Sequence, residues 1–185
     1  MKITLVEPTR ELLKAYASAL QLGWSPDNER DETRFEELAD IESDPESFLM
    51  RMDDREAQAG PIRLPDGSLA PRLPGFRRWI WDGDFAGSIG LRWQPGTPAL
   101  PPWCLGHIGY SVVPWRRRRG YATAALAQML PEARKEGLPY VEITTDTGNI
   151  ASQQVILANG GTLIERFDSG AAYGNAEKLR YRIDL

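Results

Sequence analysis

The sequence predicts an α/β (α+β) fold: one domain over residues 1–185, with a mixed, mostly antiparallel sheet flanked by helices. Three observations carry that expectation. Apolar residues recur at helical spacing early in the chain, then alternate in two neighbouring segments around a turn signal, Asp82-Gly83-Asp84. Beyond residue 105 strand-like and helix-like stretches alternate. The hydrophobic and charged fractions, 42% and 26%, are those of an ordinary globular chain able to bury a sizeable core.

Ile3 to Val6 reads as a first strand. Thr9 offers an N-cap oxygen to a helix whose stripe is Leu12, Tyr16, Ala19 and Leu20, stopped by Gly23. Phe35, Leu38, Ala39 and Ile41 mark a second helix. Asp44-Pro45 is a cap with a first-turn proline before a third stripe of Phe48, Leu49 and Met52. Residues 60–75, rich in proline and glycine, read as one long loop. Phe76 to Trp81 and Phe85 to Trp93 read as a hairpin, and Leu105 to Val113 as the next strand after the proline-rich 95–102 run. A helix is expected from Tyr121 to Lys135, kinked or shortened at Pro131. Tyr140 to Thr145, Ser152 to Ala158, Thr162 to Phe167 and Lys178 to Asp184 complete the order as strand, helix, strand, strand.

Composition excludes several classes. No apolar run approaches the roughly 20 residues of a membrane helix, and the early carboxylate of Glu7 does not fit a signal-peptide core. One cysteine, Cys104, makes no internal disulfide and fits a reducing cytoplasm, so a cytoplasmic location is expected. One histidine and one cysteine argue against a zinc site, and no metal is expected. The net charge of −4 conceals a division: residues 27–56 hold 13 acids and four arginines, leaving the remainder basic. A general nucleic-acid binder would need basic character that the chain lacks.

The basic character concentrates in Val112-Val113-Pro114-Trp115-Arg116-Arg117-Arg118-Arg119-Gly120-Tyr121-Ala122. A strand that turns through glycine into a helix points unpaired N–H groups at one place, where the helix dipole favours an anion. Nearby arginines add charge-assisted hydrogen bonds. Neither a Gly-Lys-Ser/Thr nucleotide loop nor a G-x-G-x-x-G fingerprint is present.

The spacing V-x-x-x-x-R-x-x-G-x-A, met by Val112, Arg117, Gly120 and Ala122, resembles the acyl-CoA signature of the GNAT superfamily of N-acetyltransferases. Asn149-Ile150-Ala151-Ser152 and Asn159-Gly160-Gly161 resemble the N-x-x-S and N-G-G elements that follow the family's next strand, and the element order over the whole chain is similar. The resemblance implies splayed central strands and acetyl-CoA as cosubstrate. It implies a pyrophosphate cradle of Arg117, Arg118, Arg119, Gly120, Tyr121, Ala122 and Thr123, with Arg116 as either a fourth bracket or plain surface charge. It further implies strand-like pairing of the pantetheine arm with Tyr110, Val112 and Val113, contacts from Asn149 and Ser152, and a Tyr110 N–H aimed at the thioester oxygen. Direct attack by an amine in a ternary complex is the implied route, and Cys104 is left structural.

Two features depart from the family pattern. The tyrosine that commonly lies seven residues after the asparagine is Ile156 here, so the usual acid is absent, and a catalytically weak or inactive acetyl-CoA-binding module is the alternative reading. The usual strand glutamate is also missing, with Gly106 nearest its place. His107, the only histidine, is then the candidate base because its pKa suits neutral proton transfer, with Asp146 and Glu142 behind it. Trp79, Trp81 and Trp93 are candidates to line the acceptor pocket. The acidic 27–56 segment predicts a cationic acceptor, a small-molecule amine or basic peptide end, with no nucleic-acid or membrane partner. A monomer or homodimer is expected.

Overall fold

The computed structural model describes residues 3–185. The chain opens with strand β1 (Thr4–Val6), followed by helices α1 (Leu13–Gln21), α2 (Thr33–Ser43) and α3 (Pro45–Met50). The short strands β2 (Asp53–Asp54), β3 (Ile62–Arg63) and β4 (Leu69–Ala70) precede the long pair β5 (Gly75–Trp81) and β6 (Phe85–Arg92). Then come β7 (Ile108–Val112), α4 (Tyr121–Lys135), β8 (Tyr140–Asp146), α5 (Ile150–Ala158), β9 (Thr162–Asp168) and β10 (Glu177–Asp184). One antiparallel sheet runs β1-β5-β6-β7, with β2 also on β5; a second runs β8-β10-β9. No ladder joins β7 to β8, and this gap between the sheets holds the chemistry.

Alternation along β5 explains the layers. Phe76 and Ile80 face a core shared with Ala125, Leu126 and Met129 of α4 and with Val141 and Ile143 of β8. Trp79 faces the other way, into a second core with Leu13, Tyr16 and Leu20 of α1 and Phe48 of α3. Tyr16 stacks on Trp79 at 4.7 Å between centroids and meets Trp24 and Phe85 edge-on, geometries that add to simple area burial. Gln128 of α4 pins the outer strand, accepting from the Leu5 N–H and donating to the Ile3 carbonyl at 3.1 Å each.

Several expectations shift. Thr9 does not cap α1, which begins at Leu13 after a turn and has no side-chain cap. Phe35 is exposed, and the inward face of α2 is made by Thr33, Glu37 and part of Leu38 and Ile41. The buried glutamate is tolerated because Tyr16 OH donates to it and Arg77 lies 3.0 Å away. The 60–75 loop contains the β3–β4 hairpin. Pro131 does not shorten α4, which runs on to Lys135 with the flanking Met129 and Ala133 both fully buried. Asp44 caps α3 as expected, accepting from the Ser47 N–H at 3.0 Å. No helix is long and apolar enough to cross a membrane among the described residues.

Candidate active site

Two hydrogen bonds set the polarity of β7. Arg92 N–H donates to the His107 carbonyl at 2.9 Å, and Val113 N–H donates to the Ala86 carbonyl at 3.0 Å. In an antiparallel pair the bonding direction alternates, so the His107 carbonyl and the backbone groups of Gly109 and Ser111, with the Val113 N–H, face β6. Ile108, Tyr110 and Val112 therefore turn their backbone groups toward the gap. Side chains already use two of these carbonyls: Asn28 Nδ2 reaches Tyr110 O at 3.1 Å, and Arg117 Nε reaches Val112 O at 3.0 Å. Tyr110 and Val112 stand where an extended arm could pair with a free edge. Val113 does not: its N–H is spent on β6 and its side chain is fully buried.

The free edge leads into a single 3₁₀ turn, Pro114–Arg116, and then into the loop before α4. Arg118 and Gly120 take positive φ, 58° and 76°. The backbone N–H groups of Arg118, Arg119, Gly120, Ala122 and Thr123 find no acceptor among the described residues. Space beside Gly120 is open, with nothing within 4 Å of a Cβ placed there. Arg118 and Arg119 are exposed and make no ion pair among the described residues, whereas Arg116 is held by Asp82 at 2.9 Å. Tyr121 turns its ring into the core and its hydroxyl to Asp82. Unsatisfied donors and unpaired guanidinium groups around an open turn fit a pyrophosphate.

Across the gap, Asn149 caps α5 by accepting from the Ser152 N–H at 3.1 Å. Tyr110 OH and Ser152 Oγ lie 2.9 Å apart, so two residues singled out separately in the sequence meet between β7 and α5. Burial raises the Tyr110 pKa to about 12, more than the Ser152 hydrogen bond lowers it. Ile156 is fully buried, and Gly161 packs so close that a Cβ there would lie 2.4 Å from Ile156 Cγ2. Asn159 reaches the Thr123 carbonyl at 3.2 Å, tying the end of α5 to the first turn of α4.

His107 is placed against the role of base. Glu142 N–H donates to its Nδ1 at 2.9 Å, so Nδ1 is an acceptor and the proton sits on Nε2, 3.1 Å from the Pro98 carbonyl. Its own N–H donates to the Glu142 carbonyl at 2.7 Å. The residue has no exposed surface, and burial pushes its pKa below the usual value. His107 bridges β7 and β8 at the closed end of the gap. The fallback carboxylates are also engaged: Glu142 with Arg180 and Arg182, Asp146 with Lys178.

A cleft of about 580 Å³ opens along β6 and β7 past Gly109 and Tyr110. Its near wall is the turn around Asp27 to Arg30, held on β7 by Trp24 Nε1 to Ser111 Oγ at 2.9 Å and Ser111 Oγ to Ser25 O at 3.0 Å. Its far wall joins three loops: Trp103 Nε1 to Pro71 O at 3.2 Å, Tyr173 OH to Trp103 O at 2.9 Å, and Asp66 N–H to Ala172 O at 3.2 Å. Trp79, Trp81 and Trp93 pack into the cores, and the tryptophan of the cleft is Trp103. Sequence reading missed Asn28, which looks like any polar residue in an acidic run, and Arg92, which looks like an ordinary strand end.

A pattern of residues characteristic of one family matches positions 28–162, and its description is the acetyltransferase (GNAT) domain. The chain belongs to the GNAT acetyltransferase family. Among curated proteins, none matches. Solved structures share the fold at low identity. Mycobacterium smegmatis RimJ, in complex with CoA-disulfide, has a TM-score of 0.67 at 18% identity over 99% of this chain and 82% of its own. The microcin C7 self-immunity acetyltransferase MccE, in complex with acetyl-CoA and AMP, has 0.65 at 13% over 100% and 93%. RimL, a ribosomal L7/L12 α-N-protein acetyltransferase in complex with CoA, has 0.59 at 15% over 100% and 95%. In this GNAT chain the gap between β7 and β8 is the family's splay, and it opens away from the His107 bridge.

Proposed function

We propose that this GNAT acetyltransferase moves the acetyl group of acetyl-CoA directly to an amine, both substrates being bound together. The observation that carries the reading is the meeting of two compartments at Tyr110. On one side the free edge of β7 leads to the N–H groups of Arg118, Arg119, Gly120, Ala122 and Thr123, without acceptors among the described residues; on the other lies the cleft. Solved relatives of the same fold hold CoA or acetyl-CoA, which supports the same cosubstrate here. Arg118, Arg119 and the open turn at Gly120 would hold the pyrophosphate, and the edge groups of Tyr110 and Val112 the pantetheine arm, once Asn28 and Arg117 yield their carbonyls. Arg117 then becomes free to turn toward the phosphates.

In the transfer, the amine nitrogen bonds to the acetyl carbon and the carbon–sulfur bond breaks. The Tyr110 N–H, facing the gap, is positioned to polarise the thioester oxygen. The Tyr110–Ser152 hydroxyl pair takes over the place left empty by Ile156. A phenol with a pKa of about 12 does not give up its proton to a thiolate whose conjugate acid lies near 8.5. The pair therefore stabilises the departing sulfur by hydrogen bonding, and the thiolate leaves as such. With His107 locked, we assign the amine proton to the carboxylate of Asp27, in the turn whose Asn28 touches Tyr110 O. Asp27 accepts from the Glu29 and Arg30 N–H groups at 2.8 and 3.2 Å, which fixes its carboxylate in the cleft wall.

The deciding experiment is initial-rate kinetics with acetyl-CoA and a panel of amines, both varied. Intersecting reciprocal plots are expected. Parallel plots would show a covalent acetyl-enzyme instead. Tight acetyl-CoA binding with no amine-dependent thiol release would mark an inactive binding module.

A further inference from the structure

The acid-rich segment 27–56 points to a cationic acceptor only while its charges are counted along the chain. In the fold eight of those thirteen carboxylates find cationic partners among the described residues. Glu29, Asp31, Glu36, Glu37, Asp40, Glu46, Asp53 and Asp54 all lie within 4.0 Å of an arginine or lysine. The cleft is lined by only four carboxylates, Asp27, Glu29, Glu36 and Asp54, against six arginines: Arg30, Arg51, Arg63, Arg72, Arg77 and Arg92. Positive charge is crowded enough that burial, reinforced by repulsion from Arg77 and Arg51, lowers the Arg72 pKa despite Asp54.

Within this set Arg92 differs. Arg30, Arg51, Arg72 and Arg77 each have a carboxylate within 4.0 Å, and Arg63 spends a terminal nitrogen on the Gly67 carbonyl of its own hairpin; like Arg63, Arg92 has no carboxylate among the described residues. It is nonetheless built in. Its Nε donates to the Gly106 carbonyl at 2.7 Å, which fixes the guanidinium and leaves its two terminal nitrogens without a hydrogen-bond partner among the described residues. Its NH2 group lies over Gly109, so close that a Cβ there would be 3.4 Å away. Gly109 is the residue next to Tyr110 on β7. An oriented, unpaired guanidinium at the mouth of the transfer site matches a planar or tetrahedral oxyanion better than any cation.

We propose that the acceptor is a small amine that also carries a carboxylate or phosphate group, its anion gripped by Arg92 while its amine faces the Asp27–Glu29 turn. This rests on the acetyltransferase reading above and names the substrate class of that same site. The cleft volume suits a small molecule. The two sources of anion, an α-amino acid and an aminoalkyl phosphate, share the recognition chemistry.

The test compares matched probes: an α-amino acid, its amide, the same amine lacking the carboxylate, and aminoethyl phosphate. Wild-type kcat/KM is expected to favour one anionic class over its neutral counterpart by about tenfold or more, as loss of a charge-assisted contact would allow. Arg92→Gln should collapse that ratio toward one through KM, Arg92→Lys should keep part of it, and Arg166→Gln, far from the cleft, should keep it whole. A preference for neutral or cationic amines, or an unchanged ratio in Arg92→Gln with acetyl-CoA affinity intact, overturns the proposal. Calorimetric titration of the CoA-bound protein with the same probes separates the two readings. Arg92-dependent binding without transfer would remove the transferase mechanism and keep the anion site. Transfer to neutral amines with equal efficiency would do the reverse.

Discussion

His107 shows how far one side chain's chemistry depends on what its nitrogens already hold. In sequence it is the only histidine on the central strand, and that position reads as a base. In the fold, Glu142 N–H and Pro98 O consume both ring nitrogens and fix the neutral tautomer. Its folded pKa is depressed by burial, so the unfolded chain binds the proton more readily. The stabilising contribution is therefore complete above the usual histidine value, about 6.5, and is lost as pH falls through the depressed folded value. Thermal unfolding followed from pH 8 to pH 5 should show a falling Tm, with a flatter slope in His107→Gln. A variant with the wild-type slope would place the acid sensitivity elsewhere. Tyr110→Phe and Ser152→Ala should each lower kcat about tenfold or less with acetyl-CoA binding retained, since they remove a hydrogen-bond donor rather than a proton source. No tyrosine ionisation should appear in the rate profile below pH 10, because Tyr110 titrates only near 12.

At the scale of elements, the loop before α4 was legible because its signal is backbone chemistry: an arginine, a glycine and a small residue at set spacing. Gly120 takes a positive φ, 76°, with open space beside it, whereas the extra left-handed residue, Arg118, leaves no mark in the sequence. Helix α4 is not shortened at Pro131, because the buried Met129 and Ala133 hold it on the sheet beyond what local propensity counts. Two glycines separate fold from function. Gly87 has a φ of 150°, and a Cβ there would lie 2.3 Å from the Ser111 carbonyl oxygen. Gly87→Ala should therefore force β6 from β7 and cost several kcal/mol, about 3 or more, in chemical denaturation. Gly120→Ala meets no atom and should cost only about 1 kcal/mol of backbone strain. Gly120→Val adds a β-branched side chain at the cradle and should weaken acetyl-CoA about tenfold or more by calorimetry. Equal affinity in Gly120→Val and wild type would remove the phosphate cradle from the loop.

Over the whole molecule, what could not be read from the chain is which charges end up facing each other. The 27–56 run is acidic along the sequence, but Arg10, Arg72, Arg77, Arg78 and Lys178, all distant from it, supply countercharge. Lys178 is the most telling of them. It leaves β10 almost fully buried and donates to Glu29 at 2.6 Å and to Asp146 at 2.8 Å. Burial alone would pull its pKa down, but the bonds to Asp146 and Glu29 leave it raised. The contact joins the turn that covers Tyr110 to the end of β8, across the open end of the gap between the sheets. Removing the ammonium in Lys178→Met would leave two carboxylates facing each other, both with routes to solvent, so the loss of stability should be modest, about 1–2 kcal/mol. The larger effect belongs to the turn, which loses its tie to the second sheet while Trp24 and Asn28 still hold it to the first. KM for the amine should then rise about tenfold, with kcat changed less, because the turn positions the acceptor without touching the breaking bond. Hydrogen exchange should quicken at residues 25–30 and stay unchanged in β5 and β6. An unaltered exchange rate in that turn, alongside normal KM, would mean that Ser111 and Asn28 suffice to hold it and that Lys178 serves only the stability of β10.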